Sequence, residues 1–488
     1  MMPNPKRNTV TLSVFVALVG CLSACAVGPD YQRPRAPLSA SFKEARDWKQ
    51  SEPQAVNADP SWWQHFDDPV LDRLEREVTV SSQNVLAAEA AYRLAVAEAD
   101  GANAALFPTL GVTAGASRAK QLGGTANLRS TTLIGNDFTA GASASWALDI
   151  WGKLRRSLEA AQAGADAEAD LLAAARLTSQ AALASDYFSL RGADELQRLL
   201  DSTVTAYEKS LLITRNQYRA GTAAKSDVDQ AETQLESTRA QAIAVRVTRA
   251  QLEHAIAVLL GKPPAEFALA PVDGLAEAPE IPISLPSSLL ERRPDIAAAE
   301  RQMAAANAQI GVAIAAFFPD LTLSAATSNS SSSFRHLLSA SNNVWSFGPS
   351  LAETVIDWGA RDAVVAQTRA TFDSNVASYR LTVLTALQQV EDDLIAIRQL
   401  AREATVEGRA VRSAVEATKL IFNQYRAGTV AYTSVVTAQA AELTAKQSAL
   451  TIHQSQLTTA VALLQALGGG WQGDAGSQAS TDLSSGGP

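Results

Sequence analysis

The side chains able to do chemistry are few in this chain of 488 residues, and they do not assemble. Four histidines, His65, His254, His336 and His453, stand far apart, with no pair at the spacing a metal site requires. The triplet Glu391-Asp392-Asp393 offers acid–base groups. It falls inside a long helical pattern, where it reads as a solvated face or as a face turned to a water-filled lumen. No glycine loop follows a strand in the manner of a phosphate-binding turn. Arg292-Arg293-Pro294-Asp295 is charged enough to suggest a site. Its order suits the start of a helix better, with Pro294 in the first turn and Asp295 complementing the dipole. Nothing aligns a nucleophile with a base, so the residues point away from an enzyme and imply neither a metal nor a soluble cofactor.

The exception is a thiol, Cys25. Lys6 and Arg7 precede a mostly apolar run at residues 10–22, too short to span a membrane and of signal-peptide length. Leu22-Ser23-Ala24-Cys25 then looks like a bacterial lipobox, in which small residues admit the peptidase and the thiol receives the lipid. On that reading residues 1–24 are removed and Cys25, acylated at its amine, begins the mature chain with a covalent lipid. The other reading is an ordinary signal peptide that happens to end near a cysteine. Cys21 leaves with the signal, so one cysteine remains and no internal disulfide can form. Losing Lys6 and Arg7 takes the formal charge from −9 to −11. Ala26 follows the cysteine, which in lipoproteins of this type favours the outer membrane over inner-membrane retention. The acidic balance and the lack of a Lys/Arg block argue against a nucleic-acid partner.

The elements around these residues are organised by a repeat. Asn-Gln-Tyr-Arg-Ala-Gly-Thr occurs at 216–222 and again at 423–429, 207 positions later. Seven identical residues at that separation argue for duplication. No proline occurs between Pro108 and Pro263, or between Pro349 and Pro488, as long helices require. Helical patterns run over 154–219 and 362–426, each about 100 Å long at 1.5 Å per residue. Phe372, Val376, Tyr379, Val383, Leu387, Val390, Leu394 and Ile397 step by three and four, the seam of a coiled coil. Shorter helices are expected at 83–106, 224–260, 295–317 and 430–467. Stacked end to end, the two short helices of each half nearly match the long one and pack antiparallel to it.

The repeated heptapeptide closes each hairpin. Gly221 and Gly428 can take the positive φ needed after a helix C-terminus, and Thr222 and Thr429 are placed to cap the next helix. Residues 25–60, rich in Pro, Ser and charge, read as an extended tether. Trp62, Trp63, Phe66, Pro69, Leu71 and Leu74 open the folded part, with Asp67 or Asp68 capping the helix that comes next. The expected divisions are a first repeat at 61–270, a second at 271–467 and a disordered tail at 468–488.

Between the short and long helices of each half the period changes to two. Phe138, Ala140, Ala142, Ala144, Trp146 and Leu148 alternate with small polar residues, as do Trp345, Phe347, Pro349 and Leu351. Leu110, Val112, Ala114 and Ala116, and Leu321, Leu323 and Ala325, repeat the pattern. A soluble sandwich and a membrane barrel would both show it. Trp146, Trp345 and Phe347 are candidates for an interfacial aromatic belt, with core packing an equal reading. Four strands cannot close a barrel, and lipid does not tolerate an open edge. Either the strands stay out of the membrane or several chains share one barrel.

With these features in place, the chain from Cys25 to about Leu467 resembles the TolC-like outer-membrane efflux family, and within it the NodT-like and OprM-like lipoprotein branch. The matching stretches are Val27-Gly28-Pro29-Asp30-Tyr31, Trp62-Trp63 with Phe66 and Asp68-Pro69, Leu290-Glu291-Arg292-Arg293-Pro294-Asp295-Ile296, Phe317-Phe318-Pro319 and the paired tips. Phe107-Pro108 corresponds to Phe318-Pro319, and Trp151-Gly152 to Trp358-Gly359. The resemblance implies a mainly α protein with membrane β. Long coiled-coil hairpins in two repeats would build a periplasmic helical tube, continuous with a twelve-stranded barrel to which each chain of a homotrimer gives four strands. It implies a passive duct for small molecules in the outer membrane, joined to a periplasmic adaptor and an inner-membrane pump. It also implies that Asp227 and Tyr425 belong to the gate, with Lys225 and Asp229 nearby. Ala220-Gly221-Thr222 and Ala427-Gly428-Thr429 are the expected adaptor contacts. Val430, Ser434 and Thr437 depart from the arginine and aspartates of some relatives, so this gate is expected to close more by packing, with Asp227 supplying cation preference. The alternatives are a turn that Asp227 and Tyr425 merely cap, a lipid-anchored coiled coil with no pore, and a duct for secreted protein.

Overall fold

The computed structural model describes residues 26–37, 39, 41–45, 61–123, 131–272, 274–279, 281 and 292–470. The signal sequence, Cys25 and residues 471–488 of the expected tail lie outside these residues; at the start of that tail Gly468 and Gly469 are buried and hydrogen-bonded to the end of the last helix, not disordered. Helices α1 (Pro69–Ser81) and α2 (Gln83–Ala104) lead to strands β1 (Thr109–Gly123) and β2 (Thr131–Leu148). The long helix α3 (Lys153–Arg219) and α4 (Lys225–Leu259) come next. The second half repeats the order with α5 (Pro294–Ala315), β3 (Asp320–Ser331), β4 (Asn343–Ala352), α6 (Ala360–Arg426) and α7 (Tyr432–Ala466). α3 and α6 are both 67 residues long, and α4 and α7 both 35, so the duplication extends to whole elements.

The described residues form two compact units, and each draws on both sequence repeats. One comprises the described residues within 26–35, 92–168 and 299–379; the other comprises those within 36–91, 169–298 and 380–470.

The first unit holds one antiparallel sheet in the order β1-β2-β3-β4. Its registers place Val112 opposite Ala142, Ala142 opposite Thr327, and Thr327 opposite Trp345. Directly paired residues share a face, so the apolar positions of all four strands lie on one side. Here the expected tether is pinned at its start. Val27 N–H donates to the Trp151 carbonyl at 3.1 Å, Arg156 pairs with Asp30 at 2.8 Å, and Asn307 donates to the Pro29 carbonyl at 2.9 Å. Gly28, at φ +105°, lies so close to α5 that a Cβ there would stand 2.5 Å from Gly311 Cα. Arg33 ends the clamp, pairing with Glu300 at 3.0 Å and donating to the Tyr379 hydroxyl at 3.3 Å.

The second unit carries the main core. Trp62, Trp63, Phe66, Leu71, Leu74 and Val78 pack with Tyr187 and Phe188 of α3, Val390 and Leu394 of α6, and Leu457 and Val461 of α7. Asp68 caps α1, accepting from Val70 N–H at 2.8 Å and Leu71 N–H at 3.1 Å, and Tyr187 donates its hydroxyl to the other oxygen at 2.6 Å. Asp67 instead takes the left-handed conformation that ends the turn over Trp62–Phe66. Arg293 donates to the Ala466 carbonyl at 3.1 Å, closing the C-terminus of α7, and pairs with Asp295 at 2.7 Å.

Glu391 is not free on a solvated or lumen-facing surface. Its carboxylate accepts the backbone N–H groups of Lys43 at 2.7 Å and Glu44 at 2.9 Å, and Arg398 pairs with Glu44, fastening residues 43–45 to α6. Burial pushes the neighbouring Asp393 up to about 6, with the Asp392 charge adding to the effect.

Candidate functional site: the hairpin tips and the sheet face

Each tip is shaped by its last helical residues. After α3, Ala220 N–H donates to the Asn216 carbonyl, Gly221 N–H to Tyr218, and Thr222 N–H to Gln217 at 2.9 Å. After α6, Ala427, Gly428 and Thr429 repeat these bonds with Asn423, Tyr425 and Gln424. Gly221 at φ +75° and Gly428 at +76° supply the left-handed residue of this C-terminal motif. Thr222 and Thr429 do not cap the next helix. Their hydroxyls turn back at 3.0 Å to the Gln217 and Gln424 carbonyls, satisfying acceptors the helix end leaves over. The N-cap positions of α4 and α7 are Ala224 and Ala431, neither with a side-chain cap.

The backbones match and the side chains do not. Tyr218 of the first tip is 46% exposed, whereas its counterpart Tyr425 is 6% exposed. The cause is the first residue of the next helical segment, Lys225 in the first repeat and Tyr432 in the second, again 207 positions apart. Tyr432 meets Tyr425 edge to face, centroids 5.1 Å apart at 62°. Around them Tyr207, Leu211, Val228, Leu235 and Val435 form a small core with Val430 against it. The Tyr432 hydroxyl lies 3.2 Å from Ser210 Oγ. Burial is the main cause raising the Tyr425 and Tyr432 hydroxyls above the ordinary phenol range, and the Asp227 carboxylate adds to it.

The structure therefore brings Asp227 and Tyr425 together across the two repeats. Asp227 sits partly exposed in the first turn of α4, where a carboxylate complements the helix dipole. Lys225 and Asp229 pair with each other at 2.5 Å, one turn apart and solvent-exposed. Ser434 and Thr437 add no charge, and Val430 joins the apolar cluster. Sequence reasoning missed Tyr207, Ser210 and Tyr432; aligning the two repeats residue by residue would have exposed Tyr432 against Lys225.

On the sheet, Trp146, Trp345 and Phe347 share the apolar face but not one level. Trp146 pairs with Leu323 near the helix-joined end and donates Nε1–H to the Leu106 carbonyl at 2.9 Å. Trp345 is opposite Thr327, and Phe347 falls between those rows. His65 and His453 face backbone carbonyls, and no group of three metal-binding side chains occurs among the described residues. No described helix is long and apolar enough to cross a membrane.

A four-stranded sheet with one apolar face and two long helical hairpins, one in each repeat, are the elements of a channel-type protein. Residues 75–262 and 285–469 match the family described as outer membrane efflux protein, and the chain belongs to that family. It is similar to the probable efflux pump outer membrane protein TtgC of Pseudomonas putida, 31% identical over 496 residues that cover 98% of this chain and 100% of TtgC. It is also similar to nodulation protein T of Rhizobium leguminosarum bv. trifolii, 30% identical over 440 residues covering 89% and 91%. Among solved structures, the outer-membrane channel OprN has 29% identity and a TM-score of 0.84, covering 92% of this chain and 100% of OprN. The fold is that of these TolC-like channels, with a helical tube and a β-barrel, and membership of the family makes the chain a channel component and not an enzyme.

Proposed function

We propose that this protein is the outer-membrane channel of a tripartite efflux system, conducting small molecules passively from an inner-membrane pump and a periplasmic adaptor to the exterior. The observation that carries this reading is the sheet: four strands, an apolar face and two unpaired edges, β1 and β4. Lipid cannot satisfy those edges, so copies must pair β1 to β4 until the barrel closes. Three copies give twelve strands, and the helices of the same three copies form the periplasmic tube. Cys25 carries the lipid anchor, and the clamp at residues 27–33 begins two residues beyond it. The Ala-Gly-Thr tips meet the adaptor. Apart from the adjoining residues, no described residue comes within 4 Å of where a Cβ would stand on Gly221 or Gly428, so both glycines are open to contact.

Single particles extracted from outer membranes in detergent test the assembly. Hollow three-fold tubes of about 100 Å below a short barrel are expected from the helix lengths. Solid rods or monomers would reject the pore in favour of an anchored coiled coil. Mass spectrometry of the mature N-terminus tests the anchor separately, with an acylated Cys25 expected.

A further inference from the structure

The lipid-facing side of the sheet changes character at a definite height. Its apolar rows begin at Leu148, Leu321 and Leu351, where the strands join helices; on β1 and β2 they end at Ala116 and Phe138, while β3 and β4 turn polar lower, from Thr327, Asn329 and Asn343. The ten-residue rise from Leu148 to Phe138 is about 33 Å along the strand. At the tilt usual in barrels this becomes about 25 Å, the height of the apolar band of outer-membrane barrels. The register of β1 with β2 runs without a bulge from Thr109 to Gly123, so the alternation of faces persists above the band. The next two β1 residues on the lipid face are Arg118, opposite Asn136, and Lys120, opposite Ile134.

Both basic side chains are exposed, and neither forms an ion pair with any described residue. The residues directly opposite them on this face, Asn136 and Ile134, are uncharged, as are Asn329 and Asn343 one row below Phe138. The nearby carboxylate, Asp137, belongs to the opposite face, where it accepts from Ser330 Oγ at 2.7 Å. Phe334 meets Phe138 edge to face at 5.8 Å, lining the border just below the cations.

A second observation lies lower on the same face. A depression of about 500 Å³ is floored by Ala142, Ala144 and Ala325 and walled by Trp345 and Phe347. Val112 is six residues below Arg118, about 20 Å along the strand. With barrel tilt this is about 15 Å of depth, the share of one leaflet in a hydrocarbon core of about 30 Å. Paired cations at the border and an apolar depression one leaflet below match an anionic headgroup with its acyl chains.

We propose that Arg118 and Lys120, with the Ala142/Ala144/Ala325 depression, bind the phosphorylated glycolipid of the outer leaflet, lipid A. The phosphate meets the two cations and an acyl chain lies in the depression. A trimer presents three such sites. The loop-joined end of the sheet faces outward, so the headgroup belongs to the outer leaflet, whose phosphate-bearing lipid is the glycolipid; glycerophospholipids occupy the inner one. This inference rests on the barrel reading above.

The test uses the full chain expressed in outer membranes and extracted in mild detergent, with retained lipid counted by native mass spectrometry. Wild-type trimers should carry lipid A. Arg118→Gln/Lys120→Gln should lower retention roughly tenfold or more, and Arg118→Lys/Lys120→Arg should keep it. Ala144→Phe, which fills the depression, should lower retention while leaving both cations in place. Delipidated protein is then offered vesicles of lipid A or of phosphatidylglycerol, and preference for lipid A is expected. Equal retention in wild type and the Gln pair would overturn the site, and preference for phosphatidylglycerol would overturn its occupant. Pore conductance in planar bilayers is recorded for every variant. Unchanged pores with lost lipid A support the proposal, whereas a wild type without pores removes the barrel and the lipid face with it.

Discussion

The two hairpin tips share seven residues and one set of backbone bonds, yet only one of them is packed. In the first, Tyr218 projects into solvent beside an exposed Lys225–Asp229 pair. In the second, Tyr425 is enclosed by Tyr432 and an apolar cluster drawn from both repeats. The difference does not reside in the tip. It is set by the residue three positions after it, lysine in one repeat and tyrosine in the other. A duplicated hairpin thus keeps its turn, which demands a positive-φ glycine, while its neighbours diverge so that one tip tyrosine is packed and the other exposed.

Tyrosine truncation breaks this comparison most forcefully. Tyr425→Ala should cost about 3–5 kcal/mol of local packing, as large-to-small changes at buried aromatics do. Tyr218→Ala should stay within about 0.5 kcal/mol. Hydrogen exchange at residues 423–435 and 216–228 reads both, and equal deprotection would erase the asymmetry.

Glu75 provides a reference remote from the tips. It holds a core position of α1 with Leu71, Leu74 and Val78, neither carboxyl oxygen has a partner among the described residues, and burial pushes it up to about 9. The folded chain therefore binds a proton that the unfolded chain releases above about 4.5. Stability contributed by this group is greatest below that value and declines as pH rises toward 9. Glu75→Leu should add about 1–3 kcal/mol near neutral pH. It should flatten the fall of melting temperature with pH and leave hydrogen exchange at both tips unchanged relative to one another. A variant no more stable at pH 8 than wild type would show that the carboxyl is satisfied.

Glycine substitution should affect the tips alike. Gly221→Val and Gly428→Val each force a β-branched residue to positive φ, at about 1–2 kcal/mol. If the tips dock the adaptor as proposed, export should fall in both with trimers retained in the membrane. Loss of trimers would assign the glycines to folding instead.

Charge makes the smallest difference. Asp227→Ala should lower cation preference in bilayer recordings, since like charges around a narrow pore concentrate counter-ions. Ser434→Asp, which gives the second repeat the missing carboxylate, should raise it. Unchanged selectivity in both would remove Asp227 from the pore.

Much of this architecture was legible in the residues. Proline-free stretches and the two tip glycines located α3 and α6 to within two residues, because proline and positive φ act locally. Period-two alternation located the strands for the same reason. Of the helix seam, Tyr379, Val383, Val390 and Leu394 are buried, while Phe372, Val376, Leu387 and Ile397 are half-buried. Contacts distant in sequence were less legible. The clamp from Val27 to Arg33 depends on helices more than 100 residues away. Glu391 reads as one of three exposed acids until Lys43 and Glu44 present their N–H groups to it. The direction of the Thr222 and Thr429 hydroxyls depends on how the helix ends, which cap preferences alone do not decide.

We propose that the packing around Tyr425 holds the periplasmic end of the pore shut. Single-channel recording of wild type, Tyr425→Ala and Tyr218→Ala in planar bilayers tests it most directly. A small wild-type conductance, a clearly larger one in Tyr425→Ala and no change in Tyr218→Ala are expected. Equal conductance in all three, or opening by Tyr218→Ala instead, would contradict it.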